Sequence, residues 1–150
     1  MNEPWKPNVT VAAVIEREGR FLLVEEETAA GIRLNQPAGH LERDESLAAA
    51  CSRETLEESA WHFSPQLLVG IYLWPLAESG ITYLRFAFCG ELGAHEAGRA
   101  LDTGILRAIW LTPEEIQARR DEHRSPLVAQ CIDDYLAGQR LPLTALRHYP

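Results

Sequence analysis

Three absences narrow what this chain can be. Cysteine is scarce: Cys51, Cys89 and Cys131 are the only three, odd in number and far apart. They give neither a metal-ligand spacing nor a disulfide framework, so buried free thiols in a reducing cytoplasm are expected. Long apolar runs are missing. None reaches the roughly 18 residues a membrane-spanning helix needs, and the opening Met1-Asn2-Glu3-Pro4-Trp5-Lys6 has no basic stretch followed by an apolar one, so no signal peptide is expected. Positive charge is short as well. Lys and Arg total 14 against 22 Asp and Glu, for a formal net charge of -8. That argues against a nucleic-acid polymer as partner, because phosphate backbones are met by basic surfaces. The 150 residues contain no repeat, low-complexity tract or linker and suit one domain over 1–150.

What is present reads as strands with helices between and after them. Residues 9–16 and 21–25 are apolar or β-branched runs around Gly19 and predict a hairpin. A loop through Gly31 then leads by Arg33-Leu34-Asn35-Gln36 into Pro37-Ala38-Gly39. Residues 46–59 hold no Pro or Gly, are rich in Ala, Leu and Glu, and predict a helix. Residues 67–74 and 81–92 predict strands. On the second, Thr82, Leu84, Phe86 and Phe88 share one face, and Tyr83, Arg85, Ala87 and Cys89 the other. Residues 93–104 read as a loop and 106–111 as a strand. Thr112-Pro113-Glu114-Glu115 opens a helix with a cap residue, Pro in the first turn and acids at the positive dipole end. Ser125-Pro126 opens a last helix that runs to about Ala137 and stops at Gly138. Its apolar stripe, Leu127, Val128, Cys131, Ile132 and Tyr135, fits either a cover for the sheet or a subunit contact, so monomer and homodimer both remain open. The class is α/β, with a mixed sheet covered by helices.

The helix at 46–59 is unusual. At 100° per residue, Ala50 and Cys51 fall beside Leu47, and the same stripe continues into Glu54 and Glu58, with Glu57 alongside. Ala49, Leu56 and Ala60 form a second apolar strip. Like charges at i, i+3 and i+4 destabilise a helix by roughly 0.2–0.5 kcal/mol per pair, and Arg53 can relieve one through Glu57. Two readings follow: a solvated acidic face, or oxygen ligands converging on a hard divalent cation. A bound cation would also screen these acids from an anionic substrate.

The wider segment decides between them. It reads Gly39-His40-Leu41-Glu42-Arg43-Asp44-Glu45, seven residues, then Arg53-Glu54-Thr55-Leu56-Glu57-Glu58-Ser59-Ala60-Trp61. It resembles the Nudix box: Gly, five residues, Glu, seven residues, Arg-Glu, two residues, Glu-Glu, one residue, Gly and an apolar residue. Every charged position matches. Ala60 stands where the box has Gly, Trp61 where it has a small aliphatic residue, and Thr55 at an often aliphatic position. If the box Gly ends the helix in a left-handed conformation, Ala there costs on the order of 1 kcal/mol. The segments Asn35 to Glu42, Leu84-Arg85-Phe86, Trp110 to Ile116, Arg124 to Ala129 and Gly138 to Leu143, with Pro7 to Ala12, look like the NudJ phosphatase subgroup of that family.

The resemblance implies an α/β/α sandwich and a Mg²⁺-dependent hydrolase, with Mn²⁺ able to substitute. By position Glu54, Glu57 and Glu58 would hold the metal together with the Ala38 carbonyl. Gly39, Glu45 and Arg53 would be structural, Arg53 by holding a box glutamate in place. The substrate class it implies is a small-molecule diphosphate: nucleoside di- and triphosphates and thiamine-type pyrophosphates, with release of orthophosphate. The alternatives are an ADP-ribose or dinucleoside polyphosphate pyrophosphatase and, from another class, a non-catalytic Nudix-fold binding domain. Glu57 is the preferred general base, with Glu96 or Asp102 as a loop alternative. Arg85 could meet phosphate, and Trp74 or Tyr72 could stack on a ring. Arg33, Arg124 and Arg140 are weaker candidates, and His40 adjoins the box.

Overall fold

A computed structural model describes residues 2–150. Its centre is a five-stranded mixed sheet in the order β5-β1-β7-β6-β9, made of β5 (Ala38–His40), β1 (Asn8–Ala13), β7 (Ile81–His95), β6 (Trp61–Leu76) and β9 (Leu141–Pro142). β1 runs parallel to β7, and the other pairs are antiparallel. A second, antiparallel sheet joins β2 (Glu16–Arg17), β3 (Arg20–Thr28) and β4 (Gly31–Asn35), with β8 (Ile105–Leu111) on the other side of β3.

Two apolar cores lie on opposite faces of these sheets, as the period-two alternation of strands requires. Val11, Ala13, Leu22, Leu68 and Phe88 pack with Ala50 and Cys51 of helix α1 (Leu47–Ser59). Their neighbours Phe21, Leu23, Val69, Ala87 and Cys89 pack with Ile116 of α2 (Pro113–Ala118) and with Cys131 and Ile132 of α3 (Leu127–Leu136). The three layers are α/β/α. All three cysteines are buried and free.

The structure departs from the sequence reading at several edges. Residues 9–16 are not one hairpin arm: β1 ends at Ala13 and joins β7 and β5, and only Glu16 and Arg17 pair back onto β3. The loop after Thr28 is short, because β4 pairs with β3 from Gly31 to Asn35. β6 and β7 extend beyond residues 67–74 and 81–92 to form a long two-stranded ribbon, in which Trp74 faces Tyr83 and Tyr72 faces Arg85. On α1, Ala49 is exposed. The buried face is Ala50, Cys51, Glu54, Thr55 and Ser59. Two hydroxyls tolerate burial there because they donate to the helix's own carbonyls, Thr55 to Cys51 at 2.7 Å and Ser59 to Thr55 at 2.6 Å.

Ser46 caps α1 by accepting from the Ala49 N–H, and Ala60 ends it in a left-handed conformation with φ 63° and ψ 14°. Glycine adopts that conformation without the Cβ penalty. Ala60→Gly is therefore expected to raise stability by about 0.5–1 kcal/mol, net of the extra freedom of Gly in the unfolded chain. The midpoint of urea unfolding measures it, and a lowered midpoint would refute the expectation.

Away from the site, Glu25 on β3 accepts hydrogen bonds from Arg107 and Arg119. The Arg107 guanidinium first, then Arg119, holds its carboxyl below the ordinary 4.5 against the opposing effect of burial. A depressed folded pKa gives stability that is present above pH 4.5 and lost as pH falls through the lower folded value. Glu25→Gln is expected to flatten the stability loss across that acidic window, as read from unfolding at several pH values. An unchanged slope would show that Glu25 does not set it.

Candidate active site

The acids of α1 are arranged around Arg53. Its Nε and one Nη grip Glu45 at 3.0 and 2.7 Å, and the other Nη reaches Glu54 at 2.8 Å and Glu57 at 3.2 Å. Arg53 also donates to the His40 carbonyl at 3.1 Å, tying the end of β5 to the helix. Glu45 in turn accepts from the Glu42 N–H at 2.7 Å. Arg53 holds the Glu45 carboxyl below the ordinary range, against its partial burial.

Glu54 is buried, and burial raises its pKa while Arg53 opposes the rise. Its carboxyl lies flat on Gly39: a Cβ at that position would overlap the carboxyl group. One carboxylate oxygen each from Glu54, Glu57 and Asp102 falls within 4.8 Å of the others. Asp102 is held there by its backbone, whose N–H donates to the Glu57 carbonyl at 2.9 Å. Its loop is joined to the helix end a second time, where the Glu96 N–H donates to the Ala60 carbonyl at 2.8 Å.

Glu58 stands outside this group. Burial pushes its carboxyl up to about 8, opposed by the Ala38 N–H and reinforced by Glu54, Glu26 and Asp102. The Ala38 N–H donates to Glu58 Oε1 at 3.0 Å. In an extended strand the N–H and C=O of one residue point to the same side. The neighbouring Pro37 carbonyl accepts from the Ala13 N–H of β1 at 2.9 Å, and the Ala38 N–H faces the other way, onto Glu58 of α1.

A cavity of about 220 Å³ opens next to these acids. Thr10, Ala38, Gly39, His40 and Glu58 line it, with Trp74 and Tyr83 of the β6–β7 ribbon, whose ring centroids are 5.9 Å apart and planes at 21°. Arg85 lines it too. It is 6% exposed and bonds to Gln36, Asn35 and Cys131. Arg124 and Glu26, which also line the cavity, pair at 3.0 Å.

The remaining candidates lie elsewhere. Arg33 is bonded to the Ile32 carbonyl, and Arg140 to Tyr135. Tyr72 donates to Asp134 at 2.7 Å. Glu96 is engaged by His62 at 2.6 Å and by Arg99 at 3.2 Å, out at the surface. Trp61 packs on His95 and Trp110, with the Arg17 guanidinium over both indoles. Tyr83 and Asn35 of the wall, and Gln36 behind Arg85, are among the residues not singled out from sequence. The alternation of β7 carried a signal for Tyr83, two residues before Arg85. Nothing local marked Gln36.

A three-layer fold with box acids gathered beside a cleft defines a family, and the comparisons agree. The NUDIX domain family model matches residues 4–131, and the chain belongs to the Nudix family. Phosphatase NudJ from Shigella boydii and from Escherichia coli K12 are each 42% identical to it over 139 residues, 93% of this chain and 90% of theirs. A NUDIX hydrolase from Nitrosomonas europaea is 56% identical, with a TM-score of 0.94 over 96% of this chain and 98% of that one. A MutT NUDIX hydrolase from Burkholderia pseudomallei, 17% identical with a TM-score of 0.74 over 87% of this chain and 98% of its own, shares the fold. The protein is thus a Nudix hydrolase acting on phosphorus-containing acid anhydrides of small molecules. Such enzymes use divalent metals. The donor set here fits one: converging carboxylate oxygens, and a glycine that leaves room for the Glu54 carboxyl. Among the described residues, no helix is long and apolar enough to cross a membrane.

Proposed function

We propose that this chain is a Mg²⁺-dependent phosphatase of nucleoside di- and triphosphates and thiamine-type pyrophosphates, working as one Nudix domain over residues 1–150 and releasing orthophosphate. The observation that carries the hydrolytic reading is the convergence of Glu54, Glu57 and Asp102 carboxylate oxygens, with the Glu54 carboxyl against Gly39, a residue that lines the same cleft as Glu58 and Arg85. Glu54, Glu57, Glu58 and the Ala38 carbonyl would hold the metal, with Mn²⁺ as a substitute. Asp102 joins Glu54 and Glu57 on the loop side. The bound ion would supply charge neutralisation at the diphosphate and a more acidic water.

The chain's own groups do the rest. Glu57 takes the proton from the attacking water. Arg53 fixes the orientation of Glu54 and Glu57, and Glu45 fixes Arg53. Gly39 keeps the space in which the Glu54 carboxyl lies. Arg85 holds a phosphate, and Trp74 offers an aromatic face to the substrate's ring. Likeness to proteins named phosphatase NudJ supports the orthophosphate product. The three buried free thiols support a cytoplasmic location.

Product analysis tests the reading. The protein is incubated with Mg²⁺ and, separately, GDP, GTP, thiamine pyrophosphate and ADP-ribose. Orthophosphate from the first three is the expected result. AMP and ribose phosphate from ADP-ribose alone would replace the substrate class while keeping the metal site. No turnover of any of them would overturn the proposed substrates.

A further inference from the structure

Arg85 is a cation that the protein buries without a counter-ion. Among the described residues it forms no ion pair, although eleven such contacts join other side chains. An unpaired buried charge is costly, so what surrounds it carries information. Its acceptors are neutral: Gln36 Oε1 at 3.0 Å, Asn35 Oδ1 at 3.0 Å and the Cys131 sulfur at 3.8 Å.

The Gln36 amide is oriented by its other bond. Gln36 is 1% exposed and donates through Nε2 to the Val128 carbonyl at 2.8 Å, so its oxygen has to face Arg85. Asn35 likewise presents its oxygen. A guanidinium carries five N–H donors; these three bonds leave two uncommitted on a residue that lines the cleft.

We infer that Asn35 and Gln36 form an electrically neutral cradle that aims an unneutralised Arg85 at one phosphate of the substrate, making them positioning residues for an anion subsite. The inference rests on the proposed function for the identity of the substrate, but the subsite needs only an anion. Neither acid on the cleft wall bonds to it: Glu26 pairs with Arg124, and Glu58 accepts from the Ala38 N–H. An Asp or Glu in the cradle would hold the same guanidinium just as well and neutralise it. An amide orients the guanidinium and leaves its charge for the ligand.

The test uses the full chain and inorganic pyrophosphate as probe. Binding is measured calorimetrically in excess EDTA, so that no metal bridges the probe to the protein and the box acids act alike in every sample, for wild type, Asn35→Asp, Asn35→Ala and Arg85→Gln. Each variant's thermal unfolding is recorded alongside. Asn35→Asp, nearly isosteric, is expected to weaken pyrophosphate binding by at least about tenfold and Arg85→Gln by as much or more. Asn35→Ala loses an acceptor but adds no charge, so its loss is about threefold or less. In turnover with Mg²⁺, Asn35→Asp is expected to raise KM more than it lowers kcat. Equal losses for Asn35→Ala and Asn35→Asp, wild-type affinity in Arg85→Gln, or no binding by wild type would each overturn the inference. Pyrophosphate binding that follows this order in a protein with no turnover of any diphosphate would overturn the proposed function and leave the subsite standing.

Discussion

Glu57→Gln is expected to lower kcat by about a thousandfold while leaving the fold intact. Glutamine keeps the size of the side chain and an oxygen for Arg53, which reaches Glu57 at 3.2 Å. It loses the charge that helps to hold the cation and the basicity that accepts the water's proton. General-base contributions alone are worth about 10²–10⁴-fold. The fold is not expected to suffer, because the change also removes repulsion between Glu57 and Glu54 three residues earlier. Steady-state kinetics with Mg²⁺ and thermal unfolding of the same preparation separate the two effects. A variant that keeps more than about a tenth of kcat would move the base to another group, Asp102 first, since it lies within 4.8 Å of the same cluster.

Arg53→Ala has the second large effect, and it reaches both stability and metal binding. One guanidinium serves Glu45, Glu54 and Glu57 and also ties the His40 carbonyl. Removing it leaves partly buried carboxylates facing one another. Breaking such a pair by deleting one partner costs about 3 kcal/mol or more. The loss should depend on metal. A divalent cation that binds only the folded chain stabilises it by about 2.7 kcal/mol at a hundred times its Kd, and it replaces part of the missing positive charge. Thermal unfolding is expected to show a large deficit in EDTA that narrows as Mg²⁺ is added. A deficit of the same size in both conditions would mean that Arg53 acts through packing and not through the acids.

The sequence carried much of this site because the box is local. The stripe that runs from Cys51 into Glu54 and Glu58 is a property of one helix, and so is the left-handed end at Ala60, which the glycine-to-alanine departure at that position had marked. Side-chain periodicity misjudged the other strip of the helix. It counted Ala49 as packable, while Thr55 and Ser59, polar by composition, are buried through bonds to their own helix. The cleft was less legible because its walls come from distant segments. Arg85 could be placed on a strand face, but its partners Asn35 and Gln36 lie about fifty positions away in sequence. Asp102 was legible only as a loop acid, since what fixes it is a backbone bond to the end of α1. Residues 9–16 misled for the same reason: a run of apolar residues does not show that its first half pairs in parallel with β7.

The β6–β7 ribbon gives the site a modular character. Gly39 and the acids of α1 belong to the chemistry and tolerate little change. Trp74 and Tyr83 stand near the end of a two-stranded arm, just before an exposed turn at Glu78, Ser79 and Gly80. Because side chains alternate along a strand, one residue inserted just before Trp74 would carry its indole to the far face, whereas two would keep the face and slide the ring outward by roughly 7 Å. Divergence in substrate range is thus open to even-numbered changes in this arm and closed to odd ones, with the hydrolytic machinery left untouched in either case.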